Sequence, residues 1–372
     1  MLKYITTGES HGHYLAAILE GFPSGLKLDL DFINGEMRRR QGGYGRGDRQ
    51  KIETDGVEIM GGVIKKVTTG APLGFLLTNR DFKIEEMPEL FRPRPGHADL
   101  AGALKYDQGI RPVLERSSAR ETSMRVAVGA ACKLLLQTFG IEVAAHVVQI
   151  GSVSLTERDI TVEGIRRDVK DSPVRCVCKK TEKAMMQAIT RAMKNGDSLG
   201  GKYEVRATGL PIGLGSYVHF ERKLDARIAM ILMSQQSAKA VEIGEGVKLA
   251  GMPGSEAHDE IFYGKARGYF HKTNHAGGFE GGMTNGADIV ARLTMKPIST
   301  LARPLASVNM KTKKSEKADF ERSDVCAVPA GSVIGEALVA YALADAFLEK
   351  FGGDSVSEIR RNYEGFLKHI RA

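Results

Sequence analysis

Apolar side chains return along this chain in two rhythms, one every three to four positions and one every second position, and each predicts a different backbone. The helical spacing is clearest over residues 119–139, where Met124, Val128, Ala131 and Leu135 share a face and Gly140 supplies a stop. It predicts further helices over 181–195, closed by Gly196, and over 223–234, 332–351 and 356–370. Alternating or short apolar runs predict strands over 3–7, 56–67, 74–79, 141–153, 175–179, 202–208 and 289–295. Strands and helices do not alternate regularly, which argues against a doubly wound parallel sheet and for an α+β arrangement. The lysine-rich stretch 310–318 has no large apolar anchor beyond Met310 and reads as a solvated loop. No linker-like stretch divides the chain, so residues 1–372 are expected to form one domain.

Composition narrows the partners. No run approaches the ~18 uninterrupted apolar residues of a membrane span. The opening residues lack the basic and apolar regions of a signal peptide. A cytoplasmic protein with no membrane partner is therefore expected. Four cysteines without a C-x-x-C pair imply free thiols rather than a disulfide framework. Cys176 and Cys178, in the predicted strand 175–179, are expected on one strand face. The net charge of +8 suits an anionic partner. The absence of Trp and an aromatic content of 6% leave few stacking platforms, which lowers the expectation of nucleic-acid binding. No metal-ligand spacing is recognisable, so no metal is expected.

Four islands then combine glycine with titratable or cationic residues. In Gly8-Glu9-Ser10-His11-Gly12, glycines flank an imidazole just after the first strand; it reads as a general acid or as a surface histidine at a strand end. Residues 38–49 interleave five arginines with four glycines, a loop able to fold over phosphate or carboxylate, or a basic surface patch. In Arg92-Pro93-Arg94-Pro95-Gly96-His97-Ala98-Asp99, prolines stiffen the approach to His97 and Asp99 could orient its ring. Ser118 and Glu121 have the spacing of a capping box at the start of the predicted helix, where Arg116 and Arg120 would add to an anion site. The glycine-dense segment 274–286 reads as a cofactor wall too flexible for a regular element. Neither a phosphate-loop motif nor a strand-linked G-x-G-x-x-G occurs, so nucleotide hydrolysis and ordinary dinucleotide dehydrogenation lose their usual support.

Taken in order, GESHG, RRRQGGYGRG, RPRPGHAD, LERSSARET, MSQQSAKAVEIG, TNHAGGFEGGMTNG, MKPIST and ERSDVCAVPA resemble the chorismate synthase family, from about Tyr4 to Phe347. The resemblance implies a β-α-β sandwich, with antiparallel sheets enclosing central helices, assembled as a homotetramer. It implies conversion of 5-enolpyruvylshikimate 3-phosphate to chorismate by 1,4-anti elimination of phosphate with reduced FMN, NADPH serving only to reduce the flavin. By the same resemblance His11 protonates the departing phosphate, His97 serves the anionic flavin and Asp324 assists removal of the ring proton. Flavin contacts map to Arg116, Ser117, Ser118, Gln236, Ser237, Gly281, Lys296, Pro297, Ile298, Ser299, Thr300 and Arg322, and anion contacts to Arg40, Arg46 and Arg49. Two departures stand out: Gln235-Gln236-Ser237 replaces a small residue and Asn, which points to a backbone contact there, and Glu115 stands in a stretch that is glycine-rich in many relatives. A conventional flavin oxidoreductase and a nucleic-acid-binding protein are the competing readings.

Overall fold

In the computed structural model, which describes residues 2–47, 52–156, 160–265, 268–321 and 323–371, two antiparallel sheets face each other across a layer of helices. The first sheet contains β1 (Lys3–Thr7), β2 (Tyr14–Glu20), β3 (Glu58–Gly61) and β4 (Leu73–Thr78) in the order β1-β2-β4-β3. The period of two decides which side chains enter the core: Leu15, Ala17 and Leu19 of β2 and Leu73, Phe75 and Leu77 of β4 point inward and are at most 1% exposed. The second sheet contains β5 (Glu142–Ile150), β6 (Val153–Ser154), β7 (Gly201–Thr208), β8 (Ala238–Ile243) and β9 (Ile289–Met295) in the order β8-β9-β7-β5-β6.

The helices of eight or more residues are α1 (Leu30–Gln41), α2 (Asp99–Tyr106), α3 (Ile110–Ser117), α4 (Thr122–Gln137), α5 (Val162–Val169), α6 (Lys179–Lys194), α7 (Leu224–Met233), α8 (Val328–Phe351) and α9 (Val356–Arg371). The central layer is α4, against the first sheet, and α8, against the second. Two glycines permit this close stacking. A Cβ on Gly129 of α4 would lie 2.4 Å from the Ala337 carbonyl oxygen of α8, and one on Gly335 would lie 2.3 Å from the Tyr203 ring of β7. Helix α8 is long and apolar enough to cross a membrane, but 89% of its most apolar window is buried inside the fold, as expected for a helix apolar on all faces in a core. The expected β-α-β sandwich is the observed architecture.

Several elements differ from expectation. Residues 175–179 are not a strand. Arg175 sits at φ +56° in a turn closed by its N–H to the Ser172 carbonyl, so Cys176 is buried while Cys178 is half-buried just before α6. Strand β2, helices α1, α2, α3 and α5, and β8 lie outside the predicted elements. Arg38, Arg39 and Arg40 therefore occupy the last turn of a helix, where the carbonyl end of the dipole favours cations, rather than a loop. Residues 56–67 split into β3 and part of a separate small hairpin whose turn residues, Lys65 and Lys66, have positive φ. The glycine-dense segment does form a regular element, a hairpin pairing Phe279–Glu280 with Met283–Thr284 through Gly281 and Gly282, both at positive φ.

Candidate active site

The turn between β1 and β2 is forced tight by Gly8, at φ +102°, where a Cβ would lie 2.2 Å from the Tyr14 carbonyl oxygen. That turn presents Ser10 and His11 to α3. The His11 Nδ1 lies 3.0 Å from each carboxylate oxygen of Glu115, and the His11 backbone N–H donates to Glu115 Oε2 at 2.8 Å. The other ring nitrogen faces Asp81, 3.9 Å away. Burial raises the Glu115 carboxyl, but hydrogen bonds and charge from His11, with Arg111 adding to them, outweigh it and hold the group below its ordinary value. Asn79 donates to the Gly12 carbonyl at 2.7 Å and accepts from Arg120, bracing the turn from below.

His97 is built the same way. Its Nδ1 contacts Asp99 Oδ1 at 2.5 Å, and the Arg94 guanidinium grips the same carboxylate through Nε at 2.8 Å and Nη2 at 3.0 Å. Burial raises the Asp99 carboxyl; His97 and Arg94 overcome this and hold it well below the carboxylate range. The segment 296–300 packs on this loop. Lys296 Nζ and Ser299 Oγ donate to the Gly96 carbonyl, and Thr300 accepts from Arg94 at 2.9 Å. Burial and neighbouring Lys239 lower the Lys296 ammonium. Ile298 turns its carbonyl to Ser198, with Pro297 leading into it.

One hydrogen-bonded surface joins the two histidines. Ser118 donates to Ser10; Arg116 donates to the Thr6 and Gly8 carbonyls; Thr6 and Gln236 both donate to Glu121; and Lys296 donates through its backbone to the carbonyl of Ser237, which sits at φ +69°. Ser117 lies on this path at the end of α3. The network does not reach Gly281 at its hairpin tip. Arg49 and Arg322 lie outside the described residues.

The arginines behave differently from the anion clamp expected. Arg40 is 4% exposed, and its guanidinium binds Thr122, Asp55 and the Ala119 carbonyl; burial, with Arg120 opposing Asp55, pulls it down to about 9. Arg120 is bound to Asp55 and Asn79, so it does not complete an anion site at the helix start. The capping box is also half-formed. Ser118 accepts from the Arg120 N–H, while the Glu121 side chain turns to Thr6, Arg125 and Gln236 instead of back to Ser118. Arg46 donates to Asp324 Oδ2 at 2.6 Å, and the Gly47 N–H donates to Oδ1 at 2.7 Å, so two expected ligand contacts hold each other.

Two buried polar atoms on this surface have no partner, Arg46 Nε and Gln236 Oε1. Gln235, by contrast, turns into the core and accepts from the Tyr203 hydroxyl at 2.6 Å. A concavity of about 510 Å³ beside Arg38, Glu53 and Asp55 is lined by neither histidine. Among the described residues, no group of three or more His, Cys, Asp or Glu is placed to hold a metal ion. Sequence reasoning assigned no role to Glu115, Arg111, Asn79 or Arg94. The signal for Glu115 was its i,i+4 spacing from Arg111 on one helical face, next to the Arg116-Ser117-Ser118 run.

The profile of the family described as Chorismate synthase matches residues 2–348. Chorismate synthases of Carboxydothermus hydrogenoformans and Geobacter sulfurreducens are each 50% identical to the chain, covering 100% of it and 99% and 100% of their own lengths; that of Pelobacter propionicus is 52% identical with full coverage of both. A crystal structure of chorismate synthase superposes with a TM-score of 0.83 at 39% identity, over 100% of this chain and 98% of the other. The chain therefore belongs to the chorismate synthase family, the enzymes that convert 5-enolpyruvylshikimate 3-phosphate to chorismate.

Proposed function

We propose that this site eliminates phosphate from 5-enolpyruvylshikimate 3-phosphate in a 1,4-anti sense with reduced FMN as resident cofactor, which makes the chain a carbon–oxygen lyase. The observation that carries the reading is the pair of histidines, each with Nδ1 on a buried carboxylate, at two ends of one hydrogen-bonded surface. The residues fit a flavin. Gln236 Oε1 is a buried acceptor awaiting a donor, and a reduced isoalloxazine ring is rich in N–H donors. Arg116, Ser117, Ser118, Ser237 and Lys296–Thr300 would complete the cradle; Gly281 and Arg322 are flavin contacts by resemblance alone. Reduced FMN supplies electron density to the reacting substrate and recovers it, so the reaction is redox-neutral overall.

The chain's own groups handle protons and anions. The C–O bond to phosphate breaks with its electron pair leaving on oxygen, and His11, held by Glu115 through Nδ1, delivers the Nε2 proton to it. His97, held by Asp99 through Nδ1, would serve the anionic flavin when it is bound. Asp324 helps to remove the ring proton. For that its carboxylate must be released from Arg46, and a substrate anion drawn to the Arg46 guanidinium would release it; by resemblance Arg40 and Arg49 are further anion contacts. NADPH enters only as a reductant of free or bound flavin.

One core running from Leu2 to Ile359 supports a single domain, and four free cysteines suit the reducing cytoplasm. The homotetramer is supported by an exposed apolar stripe on the first sheet, where Ile5 pairs with Ile18 and Met60 lies over Gly74. Anaerobic assay with catalytic reduced FMN should give many phosphates released per flavin. Stoichiometric oxidation of the flavin would instead establish a conventional oxidoreductase and overturn the proposal.

A further inference from the structure

Glu115 lies within α3, and its side chain is fully enclosed. Its contacts converge on one neighbour: both carboxylate oxygens lie 3.0 Å from His11 Nδ1, Oε2 also takes the His11 backbone N–H at 2.8 Å, and its carbonyl takes the Ser10 N–H at 3.0 Å. A carboxylate can only accept, so His11 Nδ1 must carry a proton in this arrangement. The exchangeable end of the ring is then Nε2. Arg111, one turn earlier on α3, has Nη1 3.5 Å from Glu115 Oε1 and donates through Nη2 to Glu321 at 2.9 Å, which pins the carboxylate from behind.

Resting on the reading of His11 as the acid, we propose that Glu115 is a positioning residue for it: the carboxylate fixes the Nδ1-protonated ring, aims Nε2 away from α3, and supplies the negative charge that lets the ring be cationic before it gives up a proton. A general acid must carry a second proton on Nε2. Without the adjacent charge, a ring that holds Nε2–H only as a neutral imidazole would have to become imidazolate on donating, which makes it a far weaker acid. Among the described residues, the charged groups facing the ring are Glu115 and Arg111 from α3 and, from the turn after β4, Asp81 at 3.9 Å with Lys83 paired to it at 3.1 Å. Glu115 is the one among these in direct hydrogen-bond contact with the ring.

The discriminating variant is Glu115→Gln, which keeps size and one acceptor oxygen but removes the charge and can turn an N–H₂ donor toward Nδ1. Expected is a fall in kcat of about 10- to 100-fold, part of the usual scale of a general acid. The substrate KM and flavin affinity stay within about 3-fold, the small effect of removing no binding contact. The alkaline limb of the kcat profile moves to lower pH. In His11→Ala/Glu115→Gln, the second change adds nothing to the first, because Glu115 acts through His11. A purely architectural Glu115 would give the opposite pattern: lower melting temperature, raised KM, an unmoved pH profile and additive losses, and that would overturn the proposal. If His11→Ala alone keeps full kcat, the reading of His11 fails first, and separately. Should Glu115→Gln not fold, ¹⁵N NMR of histidine-labelled wild-type protein decides: Nδ1 of His11 is expected to stay protonated while Nε2 is the nitrogen that gains and loses its proton, and a neutral tautomer with bare Nδ1 overturns the assignment.

Discussion

Glu336 gives the sharpest stability prediction. It sits in the middle of α8, 1% exposed, and accepts two 3.0 Å bonds from Arg39, one from Lys133 and one from the Ala145 N–H at 3.0 Å, with Arg175 at 3.6 Å. Lys133 and Arg39 also bind Glu36. Glu336→Ala therefore leaves three cations facing one carboxylate, Lys133 and Arg175 enclosed and Arg39 at the edge of a cleft of about 290 Å³. Breaking a buried pair by removing one partner costs about 3–5 kcal/mol, a large part of the ~5–15 kcal/mol that holds a folded protein together. Equilibrium unfolding in urea should show a lower midpoint with an unchanged slope. Removing both charges, as Lys133→Met with Glu336→Leu, should recover most of the loss, because a buried pair replaced by apolar groups is often neutral. The pH dependence has a definite sign. Burial raises the Glu336 carboxyl, but Arg39 and Lys133 outweigh it and hold it below the carboxylate range. Its contribution is fully present above the unfolded value of about 4.3 and is lost as pH falls toward the folded one, so wild type and Glu336→Ala should converge in acid. A loss under ~1 kcal/mol at neutral pH, or a double variant as unstable as the sum of its singles, would refute the reasoning.

The site yields three further expectations. His11→Ala and His97→Ala should each lower anaerobic phosphate release by at least ~100-fold with an unchanged melting curve; near wild-type turnover in either removes that residue from proton transfer. Asp99→Asn, which deletes a charge-assisted bond to His97, should lower kcat roughly 10- to 100-fold, and a circular dichroism melt separates this from misfolding caused by the loss of Arg94 contacts. Arg46→Ala should raise the substrate KM more than it weakens flavin binding followed by fluorescence quenching; the reverse order would assign the glycine-arginine loop to the flavin.

The strands at 3–7 and 289–295 coincide with β1 and β9, and the five predicted helices all exist, because each long apolar rhythm also faces a core. What escaped is equally physical. Helix α1 is polar at its end, Arg38 to Arg40, so its apolar face is short; Asp29 capping the Phe32 N–H is the signal that marks its start. Residues 175–179 carry strand-like side chains, but Arg175 adopts a left-handed backbone to bring its guanidinium to Ser332 and the Ala145 carbonyl. Tertiary contacts there override local preference.

The site was legible as a set of islands but not as a division of labour among its charges. Basic residues near glycine read naturally as anion receptors, and the net charge of +8 encouraged that reading. Yet Arg40 and Arg120 share Asp55, Arg94 grips Asp99, and Arg111 spans Glu115 and Glu321. Each is already paired with a carboxylate of the fold. Of these carboxylates, Asp99 and Glu115 in turn hold the two histidines by Nδ1, so Arg94 and Arg111 touch the carboxylates behind the imidazoles rather than the imidazoles' outer faces. A positive charge count therefore says little about which arginine meets a ligand. The orphaned Nε of half-buried Arg46 is the better pointer, because a guanidinium already paired with Asp324 still keeps one buried donor without a partner among the described residues.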